Sequence, residues 1–167
     1  MTPLSPPFGD GGLTFWRIDQ QKHAGTWSSG EGAFLAGGRW NVRGTRCVYA
    51  AHDPATAILE VAVHKGFDTL DIRPHVVTRG RIAGTVGVRI VEPQQIPNSN
   101  WLHPGLPSLG QQRFGDALLD QHAVVLVPSV VSRNSWNIIF RPGSVETQCA
   151  EINQERLGLD PRLNPPT

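Results

Sequence analysis

Three residues between Gly37 and Gly66 have the chemistry to act on a ligand that carries phosphate and ribose. The stretch reads Gly37-Gly38-Arg39-Trp40-Asn41, then Cys47-Val48-Tyr49-Ala50-Ala51, then Asp53-Pro54 and an apolar run that carries Glu60. Arg39 offers a planar fork of donors that matches phosphate. Tyr49, the only tyrosine in the chain, offers a ring with a polar tip. Glu60 sits among Ile58, Leu59, Val61 and Ala62, where a carboxylate without partners is expensive to bury. Each has a plainer reading when taken singly. Glu60 could be a salt-bridged structural carboxylate or lie on a narrow solvent stripe. Arg39 could brace a loop, Tyr49 could be core packing, and Ser129, just past Pro128, could be a turn or cap residue. Together they gain weight, because Tyr49 and Glu60 belong to a strand and the helix that follows it. Both can then face one cleft.

The elements that must hold these residues are short. Phe15-Trp16-Arg17-Ile18 suits a strand, and Gln20 to Gly38 reads as a long polar, Gly-rich loop. Arg46 to Ala51 is an apolar strand. Asp53-Pro54 starts a helix, with Asp as N-cap and Pro in the first turn. That helix runs through Ala55, Ile58, Leu59, Ala62 and Val63 and ends at His64-Lys65-Gly66, with cations in the last turn and Gly after it. Val76-Val77 and Thr85 to Val91 read as strands around a turn near Gly80 and Gly84. Pro93 to Pro107 reads as a loop. Ser108 caps a helix over Leu109 to Gln121, with Phe114, Ala117, Leu118 and Leu119 inward. Ala123 to Val127 and Asn137 to Phe140 are strands, and Leu157 to Leu163 reads as a last edge strand. There is no internal repeat and no domain boundary. The order of elements gives an α+β fold in one domain, with short strands and about two helices.

Composition narrows the function classes. The chain has 167 residues, 39% hydrophobic and 17% charged, with 18 Gly and 14 Pro. That is globular, light in charge and rich in turns. A formal net charge of +1 with no Lys/Arg run gives no general pull toward nucleic acid. Cys47 and Cys149 form no metal-type pair, and the six histidines show no ligand spacing, so no metal site is expected. The Pro/Gly-rich segment 1–12 reads as a flexible leader without the features of a signal peptide. No apolar run is long enough to span a membrane. A reducing cytoplasm is the expected location, with Cys47 a buried thiol. Gly9-Asp10-Gly11-Gly12 precedes a strand rather than joining one to a helix, so it is no dinucleotide fingerprint. Walker, His-Glu-x-x-His and nucleophile-elbow motifs are missing.

An ordered set of motifs nevertheless resembles a known family. Phe15-Trp16-Arg17, Gly38-Arg39-Trp40-Asn41-x-x-Gly44, Tyr49, Ala57-x-x-Glu60 and Val127-Pro128-Ser129 together resemble the RES domain, over roughly Phe15 to Leu163. The domain is then 13–167. The family is named for its Arg, Glu and Ser. Its members are toxin halves of bacterial toxin–antitoxin pairs whose antitoxins are of the Xre helix-turn-helix type. The resemblance implies a fold similar to the diphtheria-toxin type of ADP-ribosyltransferase, with NAD⁺ as substrate rather than as a bound cofactor. Arg39, Tyr49, Glu60 and Ser129 match the family's active-site set. Arg17 matches its early arginine, and Asn137 joins the substrate-binding positions. The family's strand after the serine usually closes with Asn-Pro, whereas this chain has Arg141-Pro142.

The implied reaction cleaves the nicotinamide–ribose bond through an oxocarbenium-like state, as in glycoside hydrolysis. Arg39, with Arg17, would grip the pyrophosphate. Tyr49 would pack on nicotinamide or its ribose. Glu60 would bond a ribose hydroxyl, stabilise the cationic transition state and orient the acceptor. Ser129 would hydrogen-bond to ribose or to Glu60. Water, phosphate or a protein could accept the ADP-ribose, so ADP-ribosylation of a protein is a second reading. A non-catalytic binding module that keeps the fold is a third. The expected partner is an Xre-type antitoxin, in a hetero-oligomer.

Overall fold

A computed structural model describes residues 12–83, 87–105 and 107–163. The leader 1–12 therefore lies outside them except for Gly12, as does the turn expected at Gly84. The architecture is one seven-stranded sheet in the order β4-β5-β6-β2-β1-β3-β7. Its strands are β1 Gly12–Gln20, β2 Val48–Ala51, β3 His75–Ala83, β4 Val88–Ile90, β5 Val124–Pro128, β6 Trp136–Phe140 and β7 Cys149–Arg156. Only β4 and β5 pair in parallel; the other neighbours are antiparallel. The α-helices are α1 Glu31–Ala36, α2 Pro54–Lys65, α3 Phe67–Ile72, α4 Leu109–Gln121 and α5 Pro142–Gln148. The expected α+β class is what the chain adopts, but the described residues form five α-helices where about two were expected, because α1, α3 and α5 are only six or seven residues long and carry no periodicity signal.

Side-chain alternation along the strands divides the core by sheet face. Leu13 and Phe15, Val48 and Ala50, Val124 and Leu126, and Trp136, Ile138 and Phe140 pack together on one face. The intervening residues point the other way. There Val125, Val127 and Ile139 meet Trp40, Trp101 and Leu119, while Ile18, Ala51 and Val77 meet Ala57 of α2. This second face carries the chemistry.

The two helices expected from their caps form as expected. The Asp53 side chain accepts from the Thr56 backbone N–H, and Pro54 takes the first turn. The Ser108 side chain accepts from the Gln111 N–H. Other expectations change. The supposed loop 20–38 contains a 3₁₀ turn, Gln21–Thr26, and α1. Glycines there lower local helix propensity, and the elements are too short to show a period. Gly80 is inside β3, not in a turn. A Cβ on it would lie 2.4 Å from the Phe15 ring, so the glycine makes room for a core aromatic. Ala117 is exposed, whereas Leu119 is buried and Phe114 and Leu118 half-buried. The last strand is β7, and Pro161–Leu163 is a 3₁₀ turn. Strand β7 was obscured because its sequence, CAEINQER, is polar and mostly exposed, so no apolar alternation marks it.

The start of α2 is held by a polar cluster. Ser135 Oγ donates to Asp53 Oδ2 at 2.5 Å, Thr56 Oγ1 donates to the same oxygen at 2.7 Å, and His52 Nδ1 lies 3.2 Å from Ser135 Oγ. Burial pushes the Asp53 carboxyl up, but the bonds from Ser135 and Thr56 outweigh it and hold the group below its ordinary value of 3.8. Burial also lowers His52, partly offset by Asp53. Both groups have folded values below their unfolded ones. Their stabilisation is present above the unfolded values and is lost as pH falls through the folded ones. The fold should therefore lose stability first below about pH 6.5 and again below about pH 4. Asp53→Ala should cost about 1 kcal/mol at pH 7 and flatten the lower part of that loss. Urea melts across pH 3–8 measure it; an unchanged acid profile in Asp53→Ala would remove the cluster from the account.

Candidate active site

Glu60 is placed by helical periodicity. It shares a face of α2 with Ala57, three residues earlier, and Ala57 is buried against the sheet. Leu59 and Val63 are exposed instead. Ile58, Val61 and Ala62 pack on the core with Ala57, but at Leu59, Glu60 and Val63 the helix turns apolar residues outward and a carboxylate inward, the reverse of a stability-driven pattern. The inward carboxylate meets two donors. Ser129 Oγ donates to Glu60 Oε1 at 2.9 Å, and Asn137 Nδ2 donates to the same oxygen at 2.6 Å.

Sheet geometry brings those donors together. Asn137 stands between Ala51 on β2 and Val127 on β5, so it points to the α2 side. Ser129 continues the Val125, Val127 alternation, and its N–H bonds to Ser135 O at 3.0 Å. Ser129 is fully buried, and its Oγ also accepts from the Ser132 N–H at 3.0 Å. That second bond fixes the hydroxyl so that its proton goes to Glu60. Glu60 Oε2 makes no hydrogen bond among the described residues and is not fully buried. One carboxylate oxygen is clamped while the other is open. The buried Asn137 Oδ1 also lacks a partner among the described residues.

Arg39 comes to the same region on the loop after α1. Its Nη1 donates to Trp101 O at 2.9 Å. Burial lowers its pKa, while the charges of Glu60 and Tyr49 raise it. The guanidinium thus feels the Glu60 carboxylate but forms no ion pair with it.

Tyr49 lies on the α2 side of β2, opposite Ile139. Its hydroxyl donates to Asn41 Oδ1 at 2.8 Å and accepts from the Trp40 N–H at 3.0 Å. Burial holds its pKa well above the ordinary value. The polar tip is committed to the Arg39 loop, and only the ring is left to meet a ligand. Tyr49→Phe should strand both partners and cost about 1–3 kcal/mol. A thermal melt checks it; an unchanged midpoint would mean that the hydroxyl is not what holds the loop.

Arg17 is not gathered into the cluster. Alternation along β1 puts it with Leu13 and Phe15, on the opposite face from Tyr49, Asn137 and Ser129. Its fork binds both Asp19 oxygens, at 2.8 and 2.6 Å, and Nη1 donates to Tyr49 O at 2.8 Å. β1 and β2 share one ladder pair, Trp16 with Ala51, and Arg17 bridges the strands where the ladder stops. Arg141, the departure from the family pattern, donates from Nε to Leu119 O at 2.9 Å and pairs with Asp120. It ties β6 to the end of α4, away from Glu60.

Sequence reasoning missed the bracing of the Arg39 loop. Asn41 is fully buried, and its Nδ2 donates to the carbonyls of Ala33, Val42 and Thr45. From α4, Gln112 Nε2 donates to Gly38 O at 2.8 Å, and Asp116 Oδ2 accepts from the Val42 N–H at 3.3 Å. The Asn41 in the Gly38-Arg39-Trp40-Asn41 motif was a visible pointer. Nothing local in α4 marked Gln112 or Asp116.

Cys47 is buried beside Tyr49, and its thiol is pushed up to about 12 by burial, which leaves it inert as a nucleophile. Among the described residues no group of three or more His, Cys, Asp and Glu could hold a metal ion. No helix there is long and apolar enough to cross a membrane.

The α+β sheet that carries this site is a fold with a solved member. The fold is shared with a chain of the M. tuberculosis MbcT–MbcA toxin–antitoxin complex, at a TM-score of 0.69 and 19% identity, over 91% of this chain and 86% of that one. The RES domain matches residues 14–160, and the chain belongs to the RES-domain family. It is 31% identical over 155 residues to "Toxin Res" of Pseudomonas putida, covering 90% of this chain and 99% of that protein. It is also 31% identical over 158 residues to the "Prs ADP-ribosylating toxin" of a Sphingobium species, covering 90% and 96%.

Proposed function

We propose that this chain is the toxin of a toxin–antitoxin pair and that it cleaves the nicotinamide–ribose bond of NAD⁺. The observation that carries the reading is the Glu60 carboxylate, with Oε1 held by Ser129 and Asn137 and Oε2 open. The glycosidic C–N bond breaks with its electron pair passing to the nicotinamide nitrogen. Nicotinamide leaves neutral, so no acid is needed. Positive charge grows on the ribose, and Glu60 is the anion fixed to meet it. An acceptor oxygen then bonds the anomeric carbon, and its proton can pass to Oε2. Arg39, whose Nη1 and Nη2 each reach the His103 carbonyl at 3.5 Å, binds the pyrophosphate through its remaining N–H groups, and the Tyr49 ring packs on the nicotinamide end. Release of nicotinamide with ADP-ribose or its phosphorylated form makes the chain an NAD⁺-degrading enzyme.

The Sphingobium relative's name favours a second reading, in which the same bond breaks and a protein takes the ADP-ribose. Incubation with NAD⁺, with and without phosphate and with cell extract, separates the two by mass of product: free ADP-ribose species for degradation, labelled protein for transfer. The partner is a helix-turn-helix antitoxin of the Xre type that covers the cleft and excludes NAD⁺, in the cytoplasm.

Arg39→Lys keeps the charge and loses the fork. NAD⁺ affinity should fall about tenfold or more, with Glu60 untouched. Calorimetric titration showing unchanged affinity would remove Arg39 from the phosphate site.

A further inference from the structure

Beside Arg39, on the side lined by the start of α4, lies a cavity of about 420 Å³. Its walls include Asn98, Asn100, His103, Ser108 and Gln111. Three of these are carboxamides, and Asn98 is accounted for by its bonds to Gln111 Oε1 and the Asn100 N–H. Gln111 is 1% exposed. Its Oε1 accepts from Asn98 Nδ2 at 2.9 Å, but its Nε2 has no partner among the described residues. A buried donor without an acceptor costs about 1–3 kcal/mol, a cost that a ligand acceptor would remove. The side chains of Asn100 and His103 donate no hydrogen bond among the described residues. Ser108 caps the 13-residue helix α4, whose first free N–H groups favour an anion.

The cavity is far larger than a lone phosphate needs and falls in the range of small-molecule sites. Asn100, whose side-chain amide oxygen and nitrogen make no hydrogen bond among the described residues, offers the paired donor and acceptor that match the N6/N7 edge of adenine, and Gln111 adds a single donor, its Oε1 being taken by Asn98. Arg39 and the α4 terminus suit a phosphate at the other end. We propose that this cavity seats the adenosine 5′-phosphate half of the dinucleotide, with Gln111, Asn100 and His103 as its recognition residues. The assignment rests on the NAD⁺ reading above: Arg39 lines the cavity and also feels the charge of Glu60, so a dinucleotide held by Arg39 can reach from the cavity toward the carboxylate. Recognition of the adenylate end is what would exclude shorter nicotinamide nucleotides.

Adenosine monophosphate is the probe, titrated by calorimetry into the full chain, into Asn100→Ala/His103→Ala and into Gln111→Met. The nucleotide should bind the parent, and affinity should fall about tenfold in both variants. The first variant alters partly or fully exposed side chains, and a thermal melt checks that Gln111→Met folds. Glu60→Gln should bind the nucleotide like the parent. Failure of the parent to bind it at millimolar concentration, unchanged affinity in both variants, or equal competition by inorganic phosphate would overturn the assignment. If nicotinamide is released from NAD⁺ while the variants bind normally, the cavity assignment fails alone. If the nucleotide binds as expected but no nicotinamide is released, the cavity stands and the Glu60 chemistry fails.

Discussion

Glu60→Gln is expected to lower NAD⁺ turnover by about 10²–10⁴-fold and to abolish growth arrest while the fold stays intact. Glutamine keeps an oxygen for Ser129 and Asn137, whose bonds at 2.9 and 2.6 Å hold the present side chain. It replaces the open Oε2 by a neutral donor. The positioned anion is lost and the packing is kept, so the loss should fall on kcat rather than on the melting temperature. Glu60→Ala is a poorer probe, because it strands the buried Ser129 hydroxyl and the Asn137 amide as well. Turnover of Glu60→Gln within a few-fold of the parent would make Glu60 structural.

Gly115→Ala should be the most damaging substitution outside the site. Gly115 is in the middle of α4, where alanine would ordinarily favour the helix by about 1 kcal/mol. Here a Cβ would lie 2.0 Å from the Trp40 carbonyl oxygen and 2.8 Å from Trp40 Cα. Those are backbone atoms, which cannot rotate away. Helix α4 would have to lift off the loop that carries Arg39, breaking the Gln112 and Asp116 braces. We expect a cost of about 3 kcal/mol, a melting temperature lower by about 6–12 °C, and weakened NAD⁺ binding in whatever remains folded. A melt at or above the parent's would show that helix propensity outweighs the contact.

The same residues mark what the sequence could and could not disclose. Asp53-Pro54 and Ser108 stated two helices outright, because caps are local chemistry. The Glu60 anomaly, a carboxylate amid apolar neighbours, was legible for the same reason. Its placement with Ser129 follows from alternation along β5. Arg17 was less legible. Its type suits phosphate, but its face depends on the β1–β3 register and its partner Asp19 on the strand's own alternation, and the fork was already filled. The Tyr49 hydroxyl was equally hidden, since its bond to Asn41 joins residues eight positions apart across a loop. Strand β7 and the Gly115 contact are long-range facts. One is a polar strand paired to β3, the other a helix pressed against a distant backbone, and neither has a local pattern.

The most direct test is release of nicotinamide from NAD⁺ by the purified chain, followed by chromatography with Glu60→Gln alongside. The account predicts stoichiometric nicotinamide, with ADP-ribose, its phosphorylated form or an ADP-ribosylated protein as the second product according to the acceptor supplied. It predicts release at least 10²-fold slower from the variant. No nicotinamide from the parent with water, phosphate and protein acceptors all present, or equal release from the variant, would contradict it.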